Sequence, residues 1–156
     1  MCTSFWGKAY SVGDGFCYEG IIKNSNNGKF HFVVDCGSQV PQKAKQKVGE
    51  LSTQSECNSR LKEIATEIVN NYGDIDLFIL THLHRDHYNG MKFLFNKGIA
   101  NTVIMPYLYP SERLYLIMNS DMDEEDNEFL ASPYDRTLRL IKENNPNAKL
   151  ILISVC

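Results

Sequence analysis

Residues 75–90 read Ile75-Asp76-Leu77-Phe78-Ile79-Leu80-Thr81-His82-Leu83-His84-Arg85-Asp86-His87-Tyr88-Asn89-Gly90. The first six form a short apolar run suited to a buried strand. Immediately after it, three of the chain's four histidines and one carboxylate fall within six positions. Imidazole nitrogen and carboxylate oxygen are the donors a borderline cation such as zinc selects, so this density predicts a metal site delivered by a strand as it opens into a loop. In an extended segment alternate side chains share a face, which brings His82 and His84 together for one cation. Asp86 continues that face and His87 departs from it where the chain must bend, so these two suit a second cation. Met91, Leu94 and Phe95 at helical spacing, with Gly98 beyond, predict a short helix over 88–96 whose amino terminus favours an anion.

Outward from this stretch the chain alternates. Upstream, strands are expected over 5–12, 16–23 and 29–35, the last two joined by the hairpin turn Asn24-Ser25-Asn26-Asn27-Gly28. A polar loop over 38–55 leads to a helix whose core face carries Leu61, Ile64, Ala65, Ile68 and Val69 and which ends near Gly73. Downstream come a strand over 102–105, a helix over 112–118, an acidic stretch, a helix over 134–142 and a strand over 149–155. Strands first, then helix and strand in alternation, predict an α/β layer architecture in a single domain. Leu150-Ile151-Leu152-Ile153-Ser154-Val155-Cys156 reads as a strand buried on both faces with no polar cap, so the expectation is an amino-terminal portion of a larger fold: a truncated reading frame or one half of a split protein.

The bulk numbers set bounds. With 156 residues, 43% of them apolar, the chain is long enough for one domain with a real core. A net charge of −3 gives no broad basic surface, so general nucleic-acid binding has no electrostatic support, although a nucleic acid remains open as a substrate. Five cysteines, an odd number without a C-x-x-C pairing, argue against a disulfide framework and for a reducing, cytoplasmic compartment. No signal peptide and no 18-residue apolar run is present, so no membrane association is expected.

His82-x-His84-x-Asp86-His87, followed by Gly90, resembles the H-x-H-x-D-H motif of the metallo-β-lactamase superfamily, a broad set of metal-dependent hydrolases. Members follow the motif with an apolar residue and two glycines, and here Tyr88, Asn89 and Gly90 keep only the second glycine. Val12-Gly13-Asp14-Gly15 and the later Phe32-Val33-Val34-Asp35-Cys36-Gly37 are similar to that family's paired amino-terminal strands and D-x-G turn. The resemblance implies an αββα sandwich, here its amino-terminal half, a mixed sheet with flanking helices. It also implies that Asp35 is a buried structural aspartate, that His82 and His84 hold one metal, and that Asp86 and His87 hold the other. The family completes its site with a further histidine, a bridging aspartate and a last histidine downstream, whereas no histidine follows His87 in this chain.

The metal implied is zinc, as one or two ions, with manganese or iron fitting the same donors. The chemistry implied is hydrolysis of an ester, thioester, amide or phosphodiester bond by a metal-bound hydroxide, since zinc lowers the pKa of bound water from about 15.7 to roughly 7. Asp86 is the candidate catalytic residue, orienting that water and passing its proton to the leaving group. The alternative is a catalytically incomplete half-fold that serves as an interaction module or survives as a relic, pairing with its own copy or a separately encoded second half. Several features also have plainer readings. Asp-x-Gly is common turn chemistry, His31 is better read as a strand residue than a ligand, and Cys36 as a small core residue than a nucleophile. Arg85 and the Lys43, Lys45, Lys47 cluster read as solvated. The acidic run at 121–128 lacks the glycine and glutamate positions of a calcium loop and reads as solvated too.

Overall fold

Asn24 shapes the first hairpin. Its side-chain oxygen accepts hydrogen bonds from the backbone of Asn26 (3.0 Å) and Gly28 (2.8 Å), and Asn27 takes the left-handed conformation at φ 58°. The turn thus joins β2 (Cys17–Lys23) to β3 (Lys29–Cys36) in antiparallel register, with β1 (Ser4–Ala9) antiparallel along the other edge of β2. Thr53 and Glu56 form a reciprocal capping box that opens α1 (Gln54–Tyr72), and Gly73 closes it at positive φ. Buried Cys57, Leu61, Ile64, Ala65 and Ile68 run along one face of that helix at the spacing expected from the sequence.

β4 (Ile75–Ile79), β5 (Ala100–Pro106) and β6 (Lys149–Ile153) then add in parallel, giving a mixed six-stranded sheet in sequential order β1-β2-β3-β4-β5-β6. Between them lie α2 (Arg85–Tyr88), α3 (Met91–Phe95), α4 (Pro110–Asn119) and α5 (Pro133–Asn144). The architecture is α/β, as the alternation implies. These elements come from a computed structural model, which describes residues 4–40, 53–119 and 132–154. The Lys43, Lys45, Lys47 cluster and the acidic run at 121–128 lie outside the described residues.

The core fills one face of the sheet. Val33, Phe78 and Val103, in register on β3, β4 and β5, pack with Leu61, Ile64 and Ile68 of α1 and with Met91 and Leu94 of α3. Each is fully buried, contributing about 1.5–3 kcal/mol for the larger side chains. Polar residues also enter this face, and they pair. Glu19 accepts from the Tyr10 hydroxyl at 2.7 Å and meets His31 Nε2 at 3.0 Å, while His31 Nδ1 lies 3.1 Å from the Asp74 carbonyl. Burial and the Glu19 carboxylate push the Tyr10 phenol well above its ordinary value, so it remains a donor. His31 is a strand residue with both ring nitrogens engaged.

The opposite face carries Phe5, Tyr18, Ile22, Phe30, Phe32, Val34, Leu77, Ile79, Ile104 and Ile151, aligned across the sheet by the strand registers. Phe5 is 62% exposed, Phe30 41% and Ile22 37%, so no described element covers this side. The Phe32 ring lies over Gly20 and the Tyr18 hydroxyl over Gly7, two glycines that pair across β1 and β2. The aromatic rings of Phe5, Tyr18 and Phe30 each sit within 6.4 Å of Phe32 by ring centroid.

Two expectations are corrected here. The strand expected over 149–155 is described as β6 over 149–153 and is not buried on both faces: among the described residues it is an edge strand paired only with β5, and Leu150, Leu152 and Ile153 are exposed. A continuous apolar run marks a strand but not its place in the sheet, which depends on what packs either side. The helix expected over 88–96 is two short helices, α2 and α3, parted at Asn89 and Gly90. There Gly90 donates its backbone N–H to the Cys36 carbonyl at 2.8 Å, so tertiary contact with the end of β3 fixes the break.

Candidate metal centre

The histidines lie beyond the carboxyl end of β4, beside the end of β3, where the parallel part of the sheet begins. In open α/β sheets this end of the strands is where ligands bind. Asp35, the next-to-last residue of β3, is 1% exposed and adopts φ 52°, a left-handed conformation that aspartate tolerates better than most residues. From there its carboxylate organises the site. Oδ1 accepts the Thr81 backbone N–H at 2.7 Å, and Oδ2 accepts the Thr81 hydroxyl at 2.6 Å and lies 2.8 Å from His87 Nδ1.

These bonds decide which ring nitrogens carry protons. A carboxylate only accepts, so His87 Nδ1 is the donor in this pair, and in the neutral tautomer that leaves the lone pair on Nε2. The Thr81 hydroxyl gives its proton to Asp35, and therefore accepts from His82 Nδ1 at 2.9 Å. His82 Nε2 is left as a lone pair as well. One buried aspartate thus sets the tautomer of two imidazoles, one directly and one through Thr81, in the manner of carboxylates behind metal-bound histidines.

The rings crowd together. The His82 centroid lies 3.7 Å from that of His87 and 4.9 Å from that of His84. Asp86 Oδ2 is 3.6 Å from His87 Nε2, which places the catalytic candidate beside this cluster. Among the described residues, Asp35, His82 and His87 offer ligand atoms within 4.8 Å of one another, a set that could hold a metal ion. Because both Asp35 oxygens already accept hydrogen bonds, its part is chiefly to orient the rings, and the donors left over are imidazole nitrogens with the Asp86 carboxylate alongside. That donor set fits a borderline divalent cation. His84 stands next to His82 as the residue preceding α2 but outside the closest triad.

Upstream loops hold the segment that carries these histidines. Gly37 N–H donates to the Phe16 carbonyl at 3.0 Å, and Phe16 N–H donates to the Asp86 carbonyl at 3.1 Å. Asn89 grips Ser38 twice, accepting its N–H at 2.9 Å and donating to its carbonyl at 2.7 Å. The Phe16 ring stacks on His87 at 6.3 Å. A Cβ on Gly15 would stand 2.8 Å, and one on Gly37 2.5 Å, from the Asp86 carbonyl oxygen. Cys36, next to Asp35, is fully buried opposite Cys17, whose thiol is pushed well up by their mutual hydrogen bond and by burial. A thiol so placed is a core residue, not a nucleophile.

His82, His84, Asp86 and His87 were each legible as candidates, whereas Thr81, Asn89 and Phe16 carried no sequence signal for their roles. Thr81 stands out only as the first polar residue after the apolar run.

Crowding has a pH signature. Burial and then the neighbouring His87 and His84 rings lower the His82 pKa, against the opposing pull of Asp35 and Asp86. With the folded value below the unfolded value of 6.5, the neutral ring contributes stability above that pH, and this is lost as pH falls through the folded value. The Tm of metal-free protein is therefore expected to drop on acidification below pH 6.5. His82→Gln should make that drop shallower, and an identical pH profile in the variant would refute the assignment.

No model of a known protein family matches the chain, and no curated protein matches it either. No helix among the described residues is long and apolar enough to cross a membrane.

Proposed function

We propose that this chain is a metal-dependent hydrolase domain of the metallo-β-lactamase type, forming one αβ layer of an αββα sandwich. The observation that carries the reading is the Asp35 relay, which engages Nδ1 of His87 directly and Nδ1 of His82 through Thr81 at the carboxyl end of a strand, so that the Nε2 atoms are the candidate ligand atoms. His82, His84, Asp86 and His87 would hold zinc, with manganese or iron as the alternatives this donor set admits. When bound, the cation supplies Lewis acidity and a water acidified towards neutral pH. Asp35 and Thr81 keep the rings in the ligating tautomer. Asp86, beside His87, accepts a proton from the attacking water and returns it to the leaving group. The bond cleaved is an ester, thioester, amide or phosphodiester. Cys17, Cys36 and Cys57 as free thiols are consistent with a reducing, cytoplasmic setting.

A second reading rests on the bare sheet face. Its central positions carry no charged side chain, so nothing on it demands a partner of opposite sign, and a second copy of the same apolar face meets no like-charge repulsion there. A second copy packed face to face, the sheets about 10 Å apart, would bury Phe5, Phe30 and Phe32 between two sheets with helices outside. In this reading the chain is an interaction module.

One set of measurements separates the two. Purified protein should carry zinc near one equivalent or more and cleave a p-nitrophenyl ester or a bis-p-nitrophenyl phosphodiester reporter, losing both in His84→Ala and after chelation. Metal-free, inactive protein sedimenting at twice the chain mass would replace the hydrolase with the module.

A further inference from the structure

Beside the histidines lies a cleft of about 540 Å³ whose lining decides among the substrate classes open to this site. His82 and His84 form one wall, and Leu83, Leu108 and Tyr115 supply much of the rest. The volume falls within the range of about 300–1,000 Å³ typical of small-molecule sites. No lysine or arginine is among the described residues that line it, and the only carboxylate is that of Glu112, which accepts the Tyr109 N–H at 2.7 Å. Proteins that bind phosphodiester backbones line the path with cations and stacking aromatics. Along the lining away from the histidines a polyanion would meet Glu112 with no ammonium or guanidinium to offset it, a cation held by the imidazoles being the positive charge at that end alone. Ser111, Glu112 and Tyr115 bring α4 into the lining, and the same helix carries the exposed apolar side chains Leu114 (57% exposed), Tyr115 (66%) and Met118 (76%).

Resting on the hydrolase reading above, we propose that this cleft seats an uncharged apolar acyl or aryl group, so that the substrate is a carboxylic ester, thioester or amide carrying such a group, not a nucleic acid. The apolar body lies against Leu83, Leu108 and Tyr115, and the scissile carbonyl sits at the His82–His84 end. Chain length beyond the cleft continues along Tyr115 and Met118.

The test uses two uncomplicated ligands on metal-free protein: 4-phenylbutyramide, which is neutral and not an ester, and the dinucleotide dTpdT. Two-dimensional NMR should show saturable shifts at Leu83, Leu108 and Tyr115 with the amide and none there with the dinucleotide. Ser111→Trp, on an exposed position of the lining, should weaken the amide at least tenfold by occupying the space. Tyr115→Lys should weaken it as well and serves if the tryptophan variant does not fold. Amide shifts that are absent, or unaltered in both variants, overturn the proposal, and so does dinucleotide binding in the cleft. Zinc-dependent hydrolysis of p-nitrophenyl hexanoate is scored separately. Amide binding without hydrolysis removes the hydrolase and leaves the cleft as a binding site, whereas hydrolysis without amide binding does the reverse.

Discussion

Asp35→Asn is expected to lower zinc affinity by about 10- to 100-fold while the fold persists. Asparagine tolerates the left-handed conformation that Asp35 holds at φ 52°, and its volume is the same, so backbone and packing are conserved. What changes is the direction of the hydrogen bonds. The amide oxygen can still accept the Thr81 N–H, but the amide nitrogen then faces both the Thr81 hydroxyl and His87 Nδ1, and it only donates. His87 must answer with a lone pair at Nδ1, moving its proton to Nε2. Thr81, now accepting from the amide, turns its own proton towards His82 Nδ1, and that ring is driven to the same tautomer. Both nitrogens that would bind the cation become protonated. Zinc titration against a competing chelator measures the loss, and ¹⁵N shifts of the histidine rings report the tautomers. Unchanged affinity with Nδ1 still protonated in both rings would show that Asp35 does not act through them.

Gly37→Ala is expected to cost more in folding than any single ligand substitution. A Cβ there would meet the Asp86–His87 peptide, coming within 2.5 Å of the Asp86 carbonyl oxygen, and the obstacle is backbone, which cannot rotate aside. Relief requires the D-x-G turn and the start of α2 to separate. That strains the Gly37–Phe16 and Phe16–Asp86 hydrogen bonds and the Asn89–Ser38 clamp together. Overpacking of this kind typically costs about 1–3 kcal/mol and occasionally more. Thermal or urea unfolding gives the magnitude, and the imidazole signals of His82 and His87 should shift even where the variant folds. Wild-type stability would mean that the two loops do not press on each other in solution.

Both predictions concern contacts between segments about fifty residues apart, and they show where the sequence stops being informative. Local rules reached far. The apolar run at 75–80, the Asn-Gly turn, the α1 stripe from Leu61 to Ile68 and the histidine spacing are short-range patterns, and β4, the first hairpin, α1 and the ligand segment follow from them. The reading failed at β6, where an apolar run suggested a strand covered on both sides, and at α2 and α3, where helical spacing ran across a break. In each case the deciding contact is non-local: what lies beside the edge strand, and the Cys36 carbonyl that takes the Gly90 N–H.

The same division runs through the site. His82, His84, Asp86 and His87 were marked by the sequence as candidate ligands through residue type and spacing, and the fold brings His82 and His87 together with Asp35 in a set that could hold a metal ion. Which ring nitrogens are engaged by Asp35 and Thr81 was decided only by the fold, since it depends on Asp35 arriving from another strand with Thr81 between it and His82. The cleft is also a tertiary product, assembled from the end of β4, the end of β5 and α4. Sequence fixes which donors exist, because that is covalent chemistry. Protonation, orientation and the shape of the space beside them belong to the folded chain, because each depends on hydrogen bonds and packing between residues that are neighbours only in three dimensions.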